Sequence, residues 1–233
     1  MNDIYFNNKH EVNEFTNKLA YIGSGTEGTC YKFSDKITFK YLCGESYIPK
    51  SKSQLLQFKD IKISNFSFVH NLAYLKEEII GAFSPYIKGR VISRGLYDID
   101  FLSLIKAFEN LENAIWKLSS FRVNIYDATP PNIIYNNDKF YLIDTIEYEE
   151  SDLSIEKLYV DNMINVLMNC YDLIFNNTIL NFIDNIKEIK DFKKNEELII
   201  KPIYILKILL IKLNEYSGCS VKNVNHATKI LLK

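Results

Sequence analysis

Histidine is scarce and cysteine is scattered in this 233-residue chain, and each shortage removes a class of chemistry. The 3 histidines, His10, His70 and His226, form no pair at metal-ligand spacing. The 4 cysteines, Cys30, Cys43, Cys170 and Cys219, contain no Cys-x-x-Cys and have no histidine nearby. Neither a zinc site nor a disulfide framework is signalled. Net charge is also nearly absent: 28 Lys and Arg against 29 Asp and Glu leave a formal -1, with no general field for nucleic acid or an anionic membrane. No long apolar run is uninterrupted. The most apolar stretch, residues 198 to 213, is broken by Lys201, Pro202, Lys207 and Lys212, and reads as a buried amphipathic helix starting at Pro202 rather than a membrane span. The first residues, "MNDIYFNNKHEV", lack a basic start followed by an apolar core, so the expected location is cytoplasmic.

What is present in quantity is apolar residues, 47% of the chain, enough for one large core or two small ones. The first third reads as strands: "LAYIGSG", "GTCYKFSD" and "KITFKYL", then "NLAYLKEE" and "EIIGAFSPYI". Between the third and fourth, "SKSQLLQFKDI" places Leu55, Leu56, Phe58 and Ile61 at helical spacing. The expectation is a small antiparallel sheet of five strands with one helix, over residues 1–88. Past Gly89 the pattern changes. "IDFLSLIKAFENLENAIWKLSSF" repeats apolar residues every three to four positions, which a strand cannot do, and a second helical stretch opens near Ile155. Residues 89–233 are expected to be mainly α-helical, giving an α+β chain of two parts.

Two constellations carry chemistry. In "GSGTEGTCYKF" the glycines Gly23, Gly25 and Gly28 lie between two strands, not between a strand and a helix, which argues against a dinucleotide fold. Such a turn can lie flat over phosphates, its backbone donors facing the oxygens. Thr26 and Glu27 stand at its tip. Lys40, flanked by Phe39 and Tyr41 in the next strand, alternates out of the apolar face and can reach the same phosphates. The second constellation is "VNIYDATPPNIIYNNDKFYLIDT". Ile133 to Tyr135 and Phe140 to Ile143 read as a hairpin about a turn at Asn136, Asn137 and Asp138. Asn132 precedes the first strand and Asp144 follows the second, so both emerge at one end. Pro130 and Pro131 keep the approach from Asp127 non-helical.

Taken in order, these residues resemble the protein-kinase-like superfamily: Gly-x-Gly-x-x-Gly, a strand lysine, an Asp with Asn five positions on, and an Asp after a hairpin. The resemblance covers roughly residues 20–150. It implies a bilobal fold and an ATP-dependent kinase that transfers the γ-phosphoryl group to a hydroxyl of a protein or small molecule. It assigns Asp127 as the base, Lys40 to the α and β phosphates, and Asn132 and Asp144 to Mg²⁺. Gly23, Gly25, Thr26 and Gly28 would cover the nucleotide. In "AFSPYIKG", the Pro85 carbonyl and the Ile87 N–H would meet the adenine edge. The implied partners are ATP, Mg²⁺ and a hydroxyl-bearing acceptor. The chain departs from the family in lacking the helix glutamate that fixes the strand lysine, for which Gln54 is the nearest candidate and Gln57 the second. It also has Tyr126 before Asp127, Thr129 in place of a lysine, and Thr145 and Ile146 after Asp144. These departures resemble aminoglycoside and choline kinases as much as protein kinases, and they leave a nucleotide-binding module without transfer as the alternative.

Overall fold

The computed structural model describes residues 1–168, 170–189 and 201–233. The chain is α+β and divides into two compact units. The first comprises Met1–Lys88 together with Ile143–Ile146, and the second comprises Gly89–Leu142 and Glu147–Lys233.

The first unit is built on a six-stranded sheet: β1 (Ile4–Phe6), β2 (Ala20–Ser24), β3 (Thr29–Lys32), β4 (Ile37–Tyr41), β5 (Asn71–Leu75) and β6 (Glu78–Pro85). Its order is β1-β5-β6-β4-β3-β2. All pairs are antiparallel except β1 with β5, where Ile4 lies beside Ala73 in parallel register. The expected five-stranded antiparallel sheet with one helix is therefore corrected to a mixed sheet with two, α1 (Lys9–Asn17) and α2 (Lys52–Leu56).

Both additions, β1 and α1, are short and carry little pattern in sequence. β1 has three residues, too few for alternation to be read. α1 buries only Val12 and Thr16, but its start is stabilised locally: Asn8 accepts from the Glu11 N–H at 3.0 Å, and Glu11 accepts from the Asn7 N–H at 2.9 Å. α2 ends at Leu56, so the expected helical stretch of residues 51 to 61 is shorter than its apolar spacing suggests.

Period-2 alternation gives the sheet two apolar faces. Phe6, Val12, Phe39, Ala73 and Phe83 form one, with the Phe39 and Phe83 rings 4.8 Å apart. Leu42, Leu55, Val69, Leu72, Tyr74, Ala82 and Ile146 form the other. Because Phe39 belongs to the first face, its neighbour Lys40 belongs to the second, between Cys30 on β3 and Ala82 on β6. Ile146 packs on that same face and brings the run 143–146 with it.

The second unit centres on α3 (Phe101–Ser120), whose Leu104, Phe108, Leu111, Ile115 and Leu118 are at most 1% exposed. Beside it lies a small sheet in which β9 (Ile133–Asn136) pairs with β10 (Lys139–Leu142) and with β7 (Arg90–Val91). The hairpin turn has two residues, Asn137 and Asp138, both at positive φ (44° and 59°). Asx residues tolerate that region, and it matches the twist of the flanking strands. Strand β8 (Val123–Asn124) pairs with β11 (Glu149–Glu150), and α4 (Ile155–Leu167) follows. A later helix, Pro202–Ser217, begins at the proline as the sequence predicts and closes at Gly218, φ 65°; residues 198–200 lie outside the described residues. Among the described residues no helix is long and apolar enough to cross a membrane.

Candidate functional site

The first unit brings Lys40, Glu27 and Asp144 together. The Lys40 residue is 9% exposed, which rules out a solvated lysine on an edge strand. Its ammonium donates to Glu27 Oε2 at 2.5 Å and to both Asp144 oxygens at 2.6 and 2.7 Å. A lysine has three donors, and these three bonds account for all of them. Burial pulls the Lys40 pKa down, but the charges and hydrogen bonds of Asp144 and Glu27 outweigh it and leave the pKa above its usual value. The ammonium is thus held charged. Lys40 stands between two carboxylates, Glu27 and Asp144.

Glu27 reaches Lys40 because its turn is tied down behind it. Gly25 N–H donates to the Gly28 carbonyl at 2.9 Å, Gly44 N–H to the Glu27 carbonyl at 2.9 Å and Ser46 N–H to the Thr26 carbonyl at 3.2 Å. A Cβ at Gly28 would stand 2.0 Å from the Tyr41 carbonyl oxygen, whereas one at Gly23 or Gly25 meets nothing within 4 Å. The three glycines therefore differ. Gly28 is required by close approach of β4, and Gly23 and Gly25 keep the outer side of the turn open. Gly28→Ala is expected to destabilise the chain by about 2 kcal/mol or more, with Gly23→Ala and Gly25→Ala each within about 1 kcal/mol of the parent. Urea melts of the three variants check this, and equal losses at all three positions would contradict the turn as described.

Gln54, the first of the two candidate partners of Lys40, is engaged elsewhere. Its side-chain oxygen accepts from the Ser51 N–H at 2.9 Å, and its own backbone N–H donates to Ser51 Oγ at 3.3 Å, closing a capping box on α2. The acidic partners of Lys40 are Glu27 and Asp144 instead. Sequence reading placed Glu27 at the turn tip without seeing this contact, because its direction depends on the ties from Gly44 and Ser46.

Cys30 sits across from Lys40 in the strand register. Burial pushes its thiol up to about 11, with the Asp144 charge adding to the effect, and burial pushes Cys170 up to about 12. Cys43 and Cys219 are exposed. In the folded chain at pH 8, iodoacetamide is therefore expected to modify Cys43 and Cys219 quickly and Cys30 and Cys170 only after unfolding, since the thiolate is the nucleophile. Peptide mapping reads the outcome, and rapid labelling of Cys30 would contradict it.

Pro85 ends β6, and its carbonyl accepts the Ser67 hydroxyl at 2.7 Å, leaving one lone pair for any further donor. Ile87 lies just beyond, half-buried.

The second unit brings Asp127 and Asn132 together. Residues Pro130–Asn132 make one 3-10 turn, closed by the Asn132 N–H on the Thr129 carbonyl at 2.8 Å. The Asn132 side-chain amide donates to the Asp127 carbonyl at 3.0 Å and to Asp127 Oδ2 at 2.8 Å. Both amide hydrogens are used on Asp127, so the planar group turns its oxygen to the opposite side. Asp127 is exposed. Its backbone is at φ 50° and that of Asp144 at φ 59°. Among the described residues, the other non-glycine positions with positive φ, Lys76, Arg122, Asn137 and Asp138, lie in hairpin turns or just past a helix end. Strained backbone of this kind concentrates where a side chain must be aimed.

Two residues invisible to motif reading hold the approach to Asp127. Asn162 of α4, fully buried, accepts from the Ile125 N–H at 2.7 Å and donates to the Val123 carbonyl at 2.9 Å and to Ser119 Oγ at 3.2 Å. Asn165 donates to the Ile125 carbonyl at 3.1 Å. Their only sequence signal is a pair of Asn residues three apart on one helix, of which Asn162 falls among the apolar positions Leu158, Met163 and Val166.

Among the described residues there is no group of three or more His, Cys, Asp or Glu side chains arranged to hold a metal ion. Mg²⁺ needs no such cage: it takes one or two carboxylates and completes its shell with phosphate oxygens and water. The oxygen donors of Asp144, on a cationic neighbour suited to phosphate, fit that chemistry. No family model matches the chain, and no curated protein matches it.

Proposed function

We propose that the chain is an ATP-dependent phosphotransferase of the protein-kinase-like superfamily, bilobal in fold, that uses Mg²⁺ and transfers the γ-phosphoryl group to a hydroxyl. The observation that carries the reading is the buried Lys40 ammonium paired with Asp144 beneath a glycine turn. A buried cation with a carboxylate beside it is a costly arrangement for stability alone, and replacing such groups by apolar ones is often neutral or stabilising. It suits a site where phosphate and a divalent ion are bound in place of those contacts.

In this reading, as the resemblance implies, Lys40 would neutralise the phosphates, and Asp144 and Asn132 would supply oxygen ligands to Mg²⁺. The metal's contribution is to offset charge on the phosphate oxygens. The open side of the turn at Gly23 and Gly25, with Thr26, lets backbone donors approach the phosphates, and Pro85 and Ile87 receive the adenine edge. Asp127 accepts the proton of the acceptor hydroxyl as that oxygen bonds to the γ-phosphorus and the bond to the bridging oxygen breaks. Its bond from Asn132 fixes the carboxylate for this task. Positioning and charge neutralisation supply most of the rate.

A nucleotide-binding module without transfer is favoured by one observation: all three Lys40 donors are already used by carboxylates. Incubating the purified chain with γ-labelled ATP and Mg²⁺ separates the two. Label is expected on the protein itself, on protein in a cell extract, or on one of a panel of alcohols and aminoglycosides. Nucleotide binding with no labelled product would retire the transferase.

A further inference from the structure

We propose that Glu27 is a displaceable anion built into the phosphate site: its carboxylate holds Lys40 in the nucleotide-free chain and gives way to an incoming phosphate. The proposal rests on the nucleotide reading above and adds what the site must release to bind. Lys40 has no donor left for a phosphate oxygen while Glu27 Oε2 and both Asp144 oxygens are bonded to it. One carboxylate contact must therefore break.

Glu27 is the contact that breaks most easily. Asp144 grips Lys40 through two oxygens and sits in a run whose neighbours are fastened: Thr145 donates its hydroxyl to the Ser67 carbonyl at 3.1 Å, and Ile146 is packed in the apolar face. Glu27 makes a single bond to Lys40 through a long, rotatable side chain. Its backbone does not need to move, because Gly44 and Ser46 hold the turn from behind and Gly28 is pressed against β4. The device is a side-chain swing on a fixed turn. Electrostatics favours the same choice, since a phosphate arriving beside the Glu27 carboxylate would repel it.

The test is isothermal titration with inorganic tripolyphosphate, which needs no adenine contacts, on the parent, Glu27→Gln, Glu27→Ala, and Glu27→Gln combined with Lys40→Met. Melting curves without ligand establish that each variant is folded. Glu27→Gln and Glu27→Ala are expected to bind tripolyphosphate about tenfold more tightly than the parent, roughly the weight of one charge-assisted hydrogen bond. The gain is expected to vanish with Lys40→Met. Unchanged or weaker binding in both Glu27 variants overturns the proposal and makes Glu27 a fixed support of Lys40, and a gain that survives Lys40→Met overturns it as well. Titrating the parent with Mg-ATP in parallel keeps the two ideas apart. Absence of Mg-ATP binding with the tripolyphosphate gain intact removes the nucleotide reading and leaves the displaceable anion, whereas Mg-ATP binding without the gain does the reverse.

Discussion

Replacing Asp127 by Asn is expected to lower phosphoryl transfer by about 10² to 10⁴-fold, the range that a positioned general base contributes, and to leave nucleotide binding unchanged. The substitution is mild in every other respect. Asn occupies the left-handed region as readily as Asp, so the backbone at φ 50° is kept. Its side-chain oxygen still accepts from the Asn132 amide, now 2.8 Å from Asp127 Oδ2. Only the negative charge and the basic oxygen disappear. If Asp127 merely caps its turn, the same change costs about 1 kcal/mol of stability and activity follows the folded fraction. Single-turnover kinetics with saturating Mg-ATP, alongside a nucleotide titration, distinguishes the two. Full activity in Asp127→Asn removes Asp127 from the chemistry.

Asn162→Ala is expected to be the most destabilising polar substitution in the second unit, at about 3 to 5 kcal/mol. The side chain is fully buried and makes three hydrogen bonds, at 2.7, 2.9 and 3.2 Å, to Ile125, Val123 and Ser119. Its removal strands a backbone N–H and a carbonyl in an apolar interior, at about 1 to 3 kcal/mol for each unsatisfied group, and adds a small cavity. At roughly 2 to 4 °C per kcal/mol for a chain of this size, the melting temperature falls by about 10 °C. The control is Asn113→Ala on the exposed side of α3, whose amide bonds only the Glu109 carbonyl within its own helix. A change in Asn162→Ala no larger than in the control would mean that the stretch before Asp127 is held by something else. Because Asn162 acts through the Val123–Ile125 backbone, transfer activity per folded molecule is also expected to fall, which a purely structural defect would not produce.

The parts of the chain legible in sequence are those where local pattern and tertiary demand agree. The long apolar period of α3, the proline that opens the helix at Pro202 and the Asn-Asp turn of the β9–β10 hairpin are stated by neighbouring residues alone. Strand alternation was enough to separate Lys40 from Phe39. It could not say that Lys40 is buried, because that requires the run after β10 to lie on the same sheet face. β1 and α1 escaped for a different reason: three residues carry no period, and a helix with two buried positions carries little. The Asn8 and Glu11 pair was a readable start signal for α1. The site residues were missed wherever the decisive contact is long-range. Glu27 meets Lys40 only because Gly44 and Ser46 fix the turn, and Asn162 meets Ile125 across 37 residues of chain. The expectation at Gln54 failed because a stronger local use was available, the capping box with Ser51.

Calorimetric titration of Mg-ATP into the purified chain, repeated with Lys40→Met and Asp144→Asn, tests the central claim most directly. Asp144→Asn keeps the positive φ that alanine would strain, so loss of metal ligation is read without loss of backbone geometry. The account predicts saturable 1:1 binding to the parent, no detectable binding to Lys40→Met, and binding to Asp144→Asn that no longer strengthens when Mg²⁺ is added. Absence of binding to the folded parent at millimolar Mg-ATP, or equal affinity in all three proteins, would contradict it.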